Sequence, residues 1–200
     1  MATLLLDGRP IRCELDTGSP NNLSLNQAAA RRLGLLDDRP FVPSRPNGIG
    51  GAGPVGRLVR VSSLELGSVR ADRPLVTLLG NTISDDYDGI VGLSFIRRFN
   101  MSIDTSGRRL WIQPSRQSAP PERYSLSGLW LDRDGPAITV AVVGTGSPAA
   151  KAGLKPGDHI QGEWDALLRA INGGPGNVVR LKVERGGSVS EVALTLAPYL

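Results

Sequence analysis

Apolar residues recur along this chain in short runs that alternate with polar positions and stop at turn formers, the spacing of half-buried strands. Residues 3–6 and 11–15 flank Asp7-Gly8, a dipeptide suited to a two-residue hairpin turn, and predict a β-hairpin. Residues 58–66 alternate and turn at Gly67, and 75–79, 101–103 and 110–112 predict further short strands. Alanine-rich 26–35, closed by Gly34, and 93–99 predict two short helices. Beyond residue 122, 137–143, 178–184 and 189–196 predict strands, the last two joined by Arg185-Gly186-Gly187-Ser188, and 164–171 a helix. Ser147 suits an N-cap, Pro148 the first helical position, and Gly153 the end of a second short helix there. Lys155-Pro156-Gly157-Asp158 then turns into a strand at His159-Ile160. The fold class expected is mainly β, in two halves of which neither repeats the other.

The halves part at a polar stretch, 113–122, that contains Pro114, Pro120 and Pro121. The division expected is a first domain over 1–115, a linker over 116–122 and a smaller α+β domain over 123–200. Aromatic residues make up only 4% of the 200, so both cores must be built from Leu, Val, Ile and Ala. The net charge of +4 is not gathered into a cluster, since the arginine pairs Arg31-Arg32, Arg97-Arg98 and Arg108-Arg109 lie far apart in sequence, which argues against a nucleic-acid partner. No apolar run has the length of a membrane span. Cys13 is the sole cysteine and His159 the sole histidine, so neither a disulfide nor a zinc centre is expected, and no cofactor or metal is called for. Asp85, Asp86 and Asp88 are expected to be solvated turn acids, and Cys13 a buried small apolar side chain.

One tetrapeptide carries chemistry. Leu15 is followed by Asp16-Thr17-Gly18-Ser19 at the end of a predicted strand. Downstream lie a glycine-rich segment, Asn47-Gly48-Ile49-Gly50-Gly51-Ala52-Gly53, and then Asp88-Gly89-Ile90-Val91-Gly92-Leu93-Ser94-Phe95. The order of these segments resembles the retropepsin-like aspartic proteases. In that resemblance Asp16 is catalytic and Thr17, Gly18 and Ser19 complete its loop. Gly48, Ile49, Gly50 and Gly51 are the tip of a substrate-covering flap, and Gly89, Ile90, Val91 and Gly92 pack behind the loop. Residues 99–110 resemble the late hairpin of bacterial members. The fold implied is an acid-protease β-barrel.

The residue types suit the chemistry. Hydrolysing a peptide without metal or covalent nucleophile needs one group to deprotonate water and another to protonate the carbonyl oxygen. Two carboxylates about 3 Å apart cannot both ionise, so they share a proton and fill both roles. Gly18, without a Cβ, permits tight packing of the loop; the resemblance implies that the Thr17 hydroxyl bonds across to a partner loop, and Ser19 is expected to donate to Asp16. The other Asp-Thr pair, Asp104-Thr105, is followed by Ser106-Gly107 and fits a hairpin turn. One chain thus supplies one catalytic aspartate, and the expectation is a homodimer with Asp16 of each copy on the two-fold axis.

In the second half, 146–160 resembles a bacterial PDZ domain, a module that binds an extended peptide beside a sheet edge. That resemblance implies Gly128, Leu129, Trp130 and Leu131 as a carboxylate-binding loop and 164–171 as the groove helix. Only Gln161-Gly162-Glu163 separates Ile160 from Trp164, shorter than PDZ domains usually have. The function expected is an aspartic endopeptidase acting on protein or peptide substrates, its PDZ domain recruiting a peptide or regulating access. The alternative is a non-catalytic dimeric peptide-binding or scaffold protein acting through the PDZ half. The resemblance implies a periplasmic or cell-envelope location, although the start of the sequence lacks a secretory signal pattern; the alternative is cytoplasmic. Fifteen residues precede Asp16, a shorter lead than the family has, so either a leading segment is missing from this sequence or the dimer closes differently.

Overall fold

The computed structural model describes residues 1–45, 47–48, 51–116 and 121–200, with the backbone alone at 47, 48, 51 and 52. It is mainly β. Two compact units form, one of residues 1–36 with 45–122 and the other of 37–44 with 123–200.

The first unit begins with β1 (Ala2–Leu6) and β2 (Arg9–Leu15), paired antiparallel with Leu6 opposite Arg9. Asp7 and Gly8 between them both have positive φ, 49° and 75°, as the tight turn requires. After β3 (Leu23–Leu25) and α1 (Gln27–Arg32), the short strand β4 (Val42–Ser44) belongs to the other unit. Then come β5 (Asn47–Gly48), β6 (Gly51–Ala52), β7 (Gly56–Arg60), β8 (Ser63–Leu66), β9 (Val69–Asp72), β10 (Leu75–Leu78) and β11 (Gly89–Val91). The unit ends with α2 (Leu93–Ile96), β12 (Phe99–Asp104) and β13 (Arg109–Pro114). Its main sheet runs β7-β10-β3-β11-β2-β1-β8-β9; among the described residues β12 and β13 pair only with each other, as do β5 and β6. Leu4, Leu6, Ile11, Leu23, Leu25, Val59, Leu64, Leu78 and Phe95 are buried almost completely, a core that is aliphatic apart from its few phenylalanines.

Three predicted elements change extent. The alanine-rich helix stops at Arg32, and Gly34 (φ 66°) with Leu35 closes it, Leu35 N–H reaching the Ala30 carbonyl at 2.9 Å. The predicted strand 58–66 breaks into β7 and β8 because the Asp7 carboxylate takes the N–H groups of Ser62 and Ser63, each at 2.8 Å, and turns the chain. The helix predicted over 93–99 ends at Ile96, since Phe99 enters β12 opposite Pro114 while its ring meets Phe95 edge to face at 5.9 Å. Asp88 is not a freely solvated acid: Arg32 pairs with it at 2.5 Å and Arg12 N–H donates to it at 2.8 Å.

Cys13 is fully buried on β2. Burial, with the Asp88 charge adding to it, pushes its thiol up to about 12. Native protein should therefore resist thiol-specific reagents at neutral pH, and labelling should track unfolding; rapid labelling of folded protein would contradict this burial.

The second unit adds β14 (Leu129–Asp134), β15 (Ala137–Val143), α3 (Pro148–Lys151), β16 (His159–Gln161), α4 (Trp164–Ile171), β17 (Val178–Arg185) and β18 (Ser188–Thr195). Its sheet is a consecutive antiparallel series, β14-β15-β16-β17-β18. Ser147 caps α3 through its Oγ, which accepts the Ala150 N–H at 3.1 Å, with Pro148 in the first turn. Leu131, Val140, Ile160, Leu167, Ile171, Leu181 and Leu196 form the core. The 37–44 segment joins this unit where the Tyr199 hydroxyl donates to the Phe41 carbonyl at 3.0 Å.

Asp158 is 2% exposed and receives Arg185 Nε at 2.6 Å, Arg185 Nη2 at 2.7 Å and Lys155 N–H at 2.9 Å. The Arg185 hydrogen bond first, and the Lys155 N–H with it, hold the carboxyl below the usual carboxylate range. A depressed folded-state pKa contributes stability that is complete above the unfolded value and lost as pH falls through the folded one. Urea unfolding followed from pH 7 into acid should show this loss in the wild type, and Arg185→Met should flatten it while lowering stability at pH 7.

Candidate active site

The loop that carries Asp16 is built by a strand crossing. β11 lies between β2 and β3, parallel to the first (Val91 opposite Leu15) and antiparallel to the second (Val91 opposite Leu23). The loop 16–22 that joins β2 to β3 is thereby fastened to one central strand. The Asp16 N–H reaches the Val91 carbonyl at 2.9 Å, the Gly92 N–H the Asn22 carbonyl at 3.1 Å, and the Leu93 N–H the Ser19 carbonyl at 2.7 Å. Ser94 Oγ adds a bond to the Pro20 carbonyl at 2.5 Å.

Glycine is needed where the crossing is tightest. A Cβ on Gly89 would sit 2.4 Å from the Ser24 carbonyl oxygen, and one on Gly92 would sit 2.3 Å from that of Asn21 and 2.6 Å from that of Ser19. All three obstacles are backbone atoms, which cannot turn aside as a side chain would. The predicted segment Gly89, Ile90, Val91 and Gly92 thus meets the predicted loop Asp16, Thr17, Gly18 and Ser19.

The Asp16 side chain is exposed, and its Oδ1 accepts the Gly18 N–H at 2.8 Å. A Cβ on Gly18 would approach that oxygen to 3.1 Å, so the glycine serves the aspartate beside it. The expected donation from the Ser19 hydroxyl is corrected: the Ser19 N–H binds the Asp16 carbonyl at 3.3 Å, and among the described residues only Gly18 donates to the carboxylate. One face of Asp16 is therefore held and the rest is open to water. Asp104, by contrast, caps its own turn through Gly107 N–H at 2.8 Å and Ser106 Oγ at 2.7 Å, bonds that lower its pKa.

Gly48 and Gly51 of the predicted flap tip face each other across the β5–β6 hairpin; Ile49 and Gly50 lie outside the described residues. Sequence reasoning missed the asparagines around the loop. Buried Asn26 braces the segment before β11, its Nδ2 reaching the Ser84 and Tyr87 carbonyls at 2.8 and 2.7 Å and its Oδ1 accepting the Ile83 N–H at 3.1 Å. Buried Asn22 donates to the Leu75 carbonyl at 3.2 Å and to Glu122 Oε1 at 2.6 Å. Their only sequence signal was a polar residue on each side of the apolar β3 stretch.

A second concave feature belongs to the second unit. Leu129, Trp130 and Leu131 face Trp164, Leu168 and Ile171 of α4 across a groove of about 220 Å³, which Pro43 also lines. The segment 128–131 is corrected from a loop to strand: only Gly128, at φ 73°, precedes β14, and a bulge falls between Trp130 and Leu131. Strand β14 is the edge of its sheet.

Residues 2–95 match the family described as Aspartyl protease, a span that contains the Asp16 loop, the β5–β6 hairpin and the crossing strand. Among solved structures the chain is similar to one titled as the crystal structure of a retropepsin-like aspartic protease from Rickettsia conorii. The identity is 18%, over 51% of this chain and 74% of that one, with a TM-score of 0.41.

Proposed function

We propose that this chain is an aspartic endopeptidase of the retropepsin-like kind, whose active site forms when the Asp16 loops of two copies meet. The observation that carries the reading is the exposed Asp16 carboxylate, fixed on one side by Gly18 N–H and mounted on a loop that β11 crosses. The family match over 2–95 supports the same chemistry. In the paired site one carboxylate takes a proton from water as it attacks the peptide carbonyl, and the other, protonated, donates to the carbonyl oxygen. In this reading Thr17, exposed on the same loop, bonds across the pair.

The surface proposed to receive the second copy is the β12–β13 hairpin. Ile103 and Leu110 stand opposite each other, while Trp111, opposite Ser102, lies on the other face. Ile103 and Trp111 are 58% and 52% exposed, costly for apolar side chains in a lone copy. A cavity links the hairpin tip to Leu15, the residue before Asp16, and its rim mixes Glu14 and Asp104 with Arg108 and Arg109, both signs that a self-complementary contact needs. Specific activity on an unstructured protein such as casein should thus rise with enzyme concentration and level off as dimers saturate. Ile103→Asp should weaken the dimer by about tenfold or more in sedimentation, its lost activity returning at high concentration. Full activity in a strictly monomeric sample would refute the paired site.

The second unit we read as a PDZ-like peptide-binding module. An apolar groove beside the β14 edge supports this, with α4 as its other wall, the arrangement that strand addition uses.

A further inference from the structure

Glu122, the last residue of the first unit, ends a stretch whose composition suggested a short extended linker. Its carboxylate is instead gripped by three parts of that unit. Oε1 accepts Asn22 Nδ2 at 2.6 Å and the Leu75 N–H at 2.9 Å, and Oε2 accepts Arg60 Nη1 at 2.8 Å. Arg60 is itself held by the Arg73 carbonyl. Asn22, 5% exposed, is the far foot of the Asp16 loop: its backbone carbonyl receives Gly92 N–H, while its side chain spans the Leu75 carbonyl and Glu122. Among the described residues its Oδ1 has no hydrogen-bond partner, so the hydrogen-bonded hold on this buried side chain comes through Nδ2.

We infer that Glu122 is a positioning residue of the active site, a latch that sets the Asp16 loop through Asn22; this rests on the protease reading above. The Oε1 contacts are the ones that matter to the loop, since Arg60 grips the other oxygen from β7. If the latch is lost, the Asn22 side chain keeps only the longer 3.2 Å bond to Leu75, and the foot of the loop gains freedom. Displacing a reacting group by an ångström is enough to slow a reaction by about a hundredfold.

The test uses the full-length chain, fluorescein-labelled casein as substrate, and three variants that separate geometry from charge. Glu122→Gln keeps an acceptor at the same reach and should hold kcat within about threefold of wild type, whereas Glu122→Asp, one methylene short, and Glu122→Ala should lose about tenfold or more in kcat with KM within about twofold. The Gly92 amide, followed by hydrogen exchange, should exchange at least about tenfold faster in the Ala and Asp variants than in the Gln variant, at equal thermal midpoints. The latch is overturned if Asp matches wild type while Gln matches Ala, which would make the charge on Arg60 the only role. It is equally overturned if kcat and Gly92 exchange stay at wild-type values in all three, or if kcat falls only in proportion to unfolded protein. Should wild-type protein leave casein intact, the protease reading fails, and Gly92 exchange alone then decides for or against the latch.

Discussion

Asp16→Asn is expected to lower peptide cleavage by about four orders of magnitude, the scale seen when a residue that acts as part of a catalytic unit is removed. The substitution is nearly isosteric, and an asparagine Oδ1 still accepts the Gly18 N–H that holds the aspartate at 2.8 Å. What disappears is the ability to take a proton from water or to pass one on. Because the side chain is exposed and away from the core, thermal stability should stay within about 0.5 kcal/mol of wild type. Mixtures of wild-type and Asp16→Asn chains sharpen the experiment. If the catalyst is a pair, exchanged dimers with one asparagine are inactive, and activity falls with the square of the wild-type fraction. If the Asp16→Asn protein cleaves casein as wild type does, the carboxylate has been misassigned.

Gly92→Ala is expected to damage both the fold and the activity although it adds only a single methyl. The new Cβ would lie 2.3 Å from the Asn21 carbonyl oxygen and 2.6 Å from that of Ser19, both within the loop that bears Asp16. Relief requires the loop to lift off β11, which breaks the Gly92–Asn22 and Leu93–Ser19 backbone bonds together. Overpacking of this kind costs about 3 kcal/mol. Activity should fall by about a hundredfold or more, since the displaced segment carries the carboxylate. Gly174→Ala is the control: its Cβ would meet open space, and both stability and cleavage should be unaffected. A stable, active Gly92→Ala protein would show that the crossing is looser than the structure has it.

The sequence made local features legible where one short stretch holds all the needed chemistry. Asp7-Gly8 foretold its turn because positive φ at both positions is a property of those two residues. Ser147 and Pro148 foretold the start of α3, and the spacing of apolar positions foretold α4, found at Trp164–Ile171. Asp16-Thr17-Gly18-Ser19 and Gly89 to Gly92 were recognisable as a pair of motifs. Nothing in either stretch states that β11 lies between β2 and β3, since strand neighbours distant in sequence leave no local trace.

The same reason explains what was missed. Val69–Asp72 and Leu23–Leu25 are too short to announce themselves and exist as strands through their partners. Asn22, Asn26 and Glu122 carry no signal of burial, because a polar residue is buried only if distant groups arrive to satisfy it. Residues 37–44 lie within the first half of the sequence yet pack with the second unit, a choice made by the Phe41 carbonyl and the Tyr199 hydroxyl, 158 positions apart. By itself the sequence determined the turns, the caps, the aliphatic character of both cores and the candidate catalytic acid, all set by a residue and its near neighbours. Only the tertiary structure decided which strand crosses the Asp16 loop, why Gly89 and Gly92 admit no side chain, and what holds the loop's far foot, because each depends on atoms brought together from dozens of residues away.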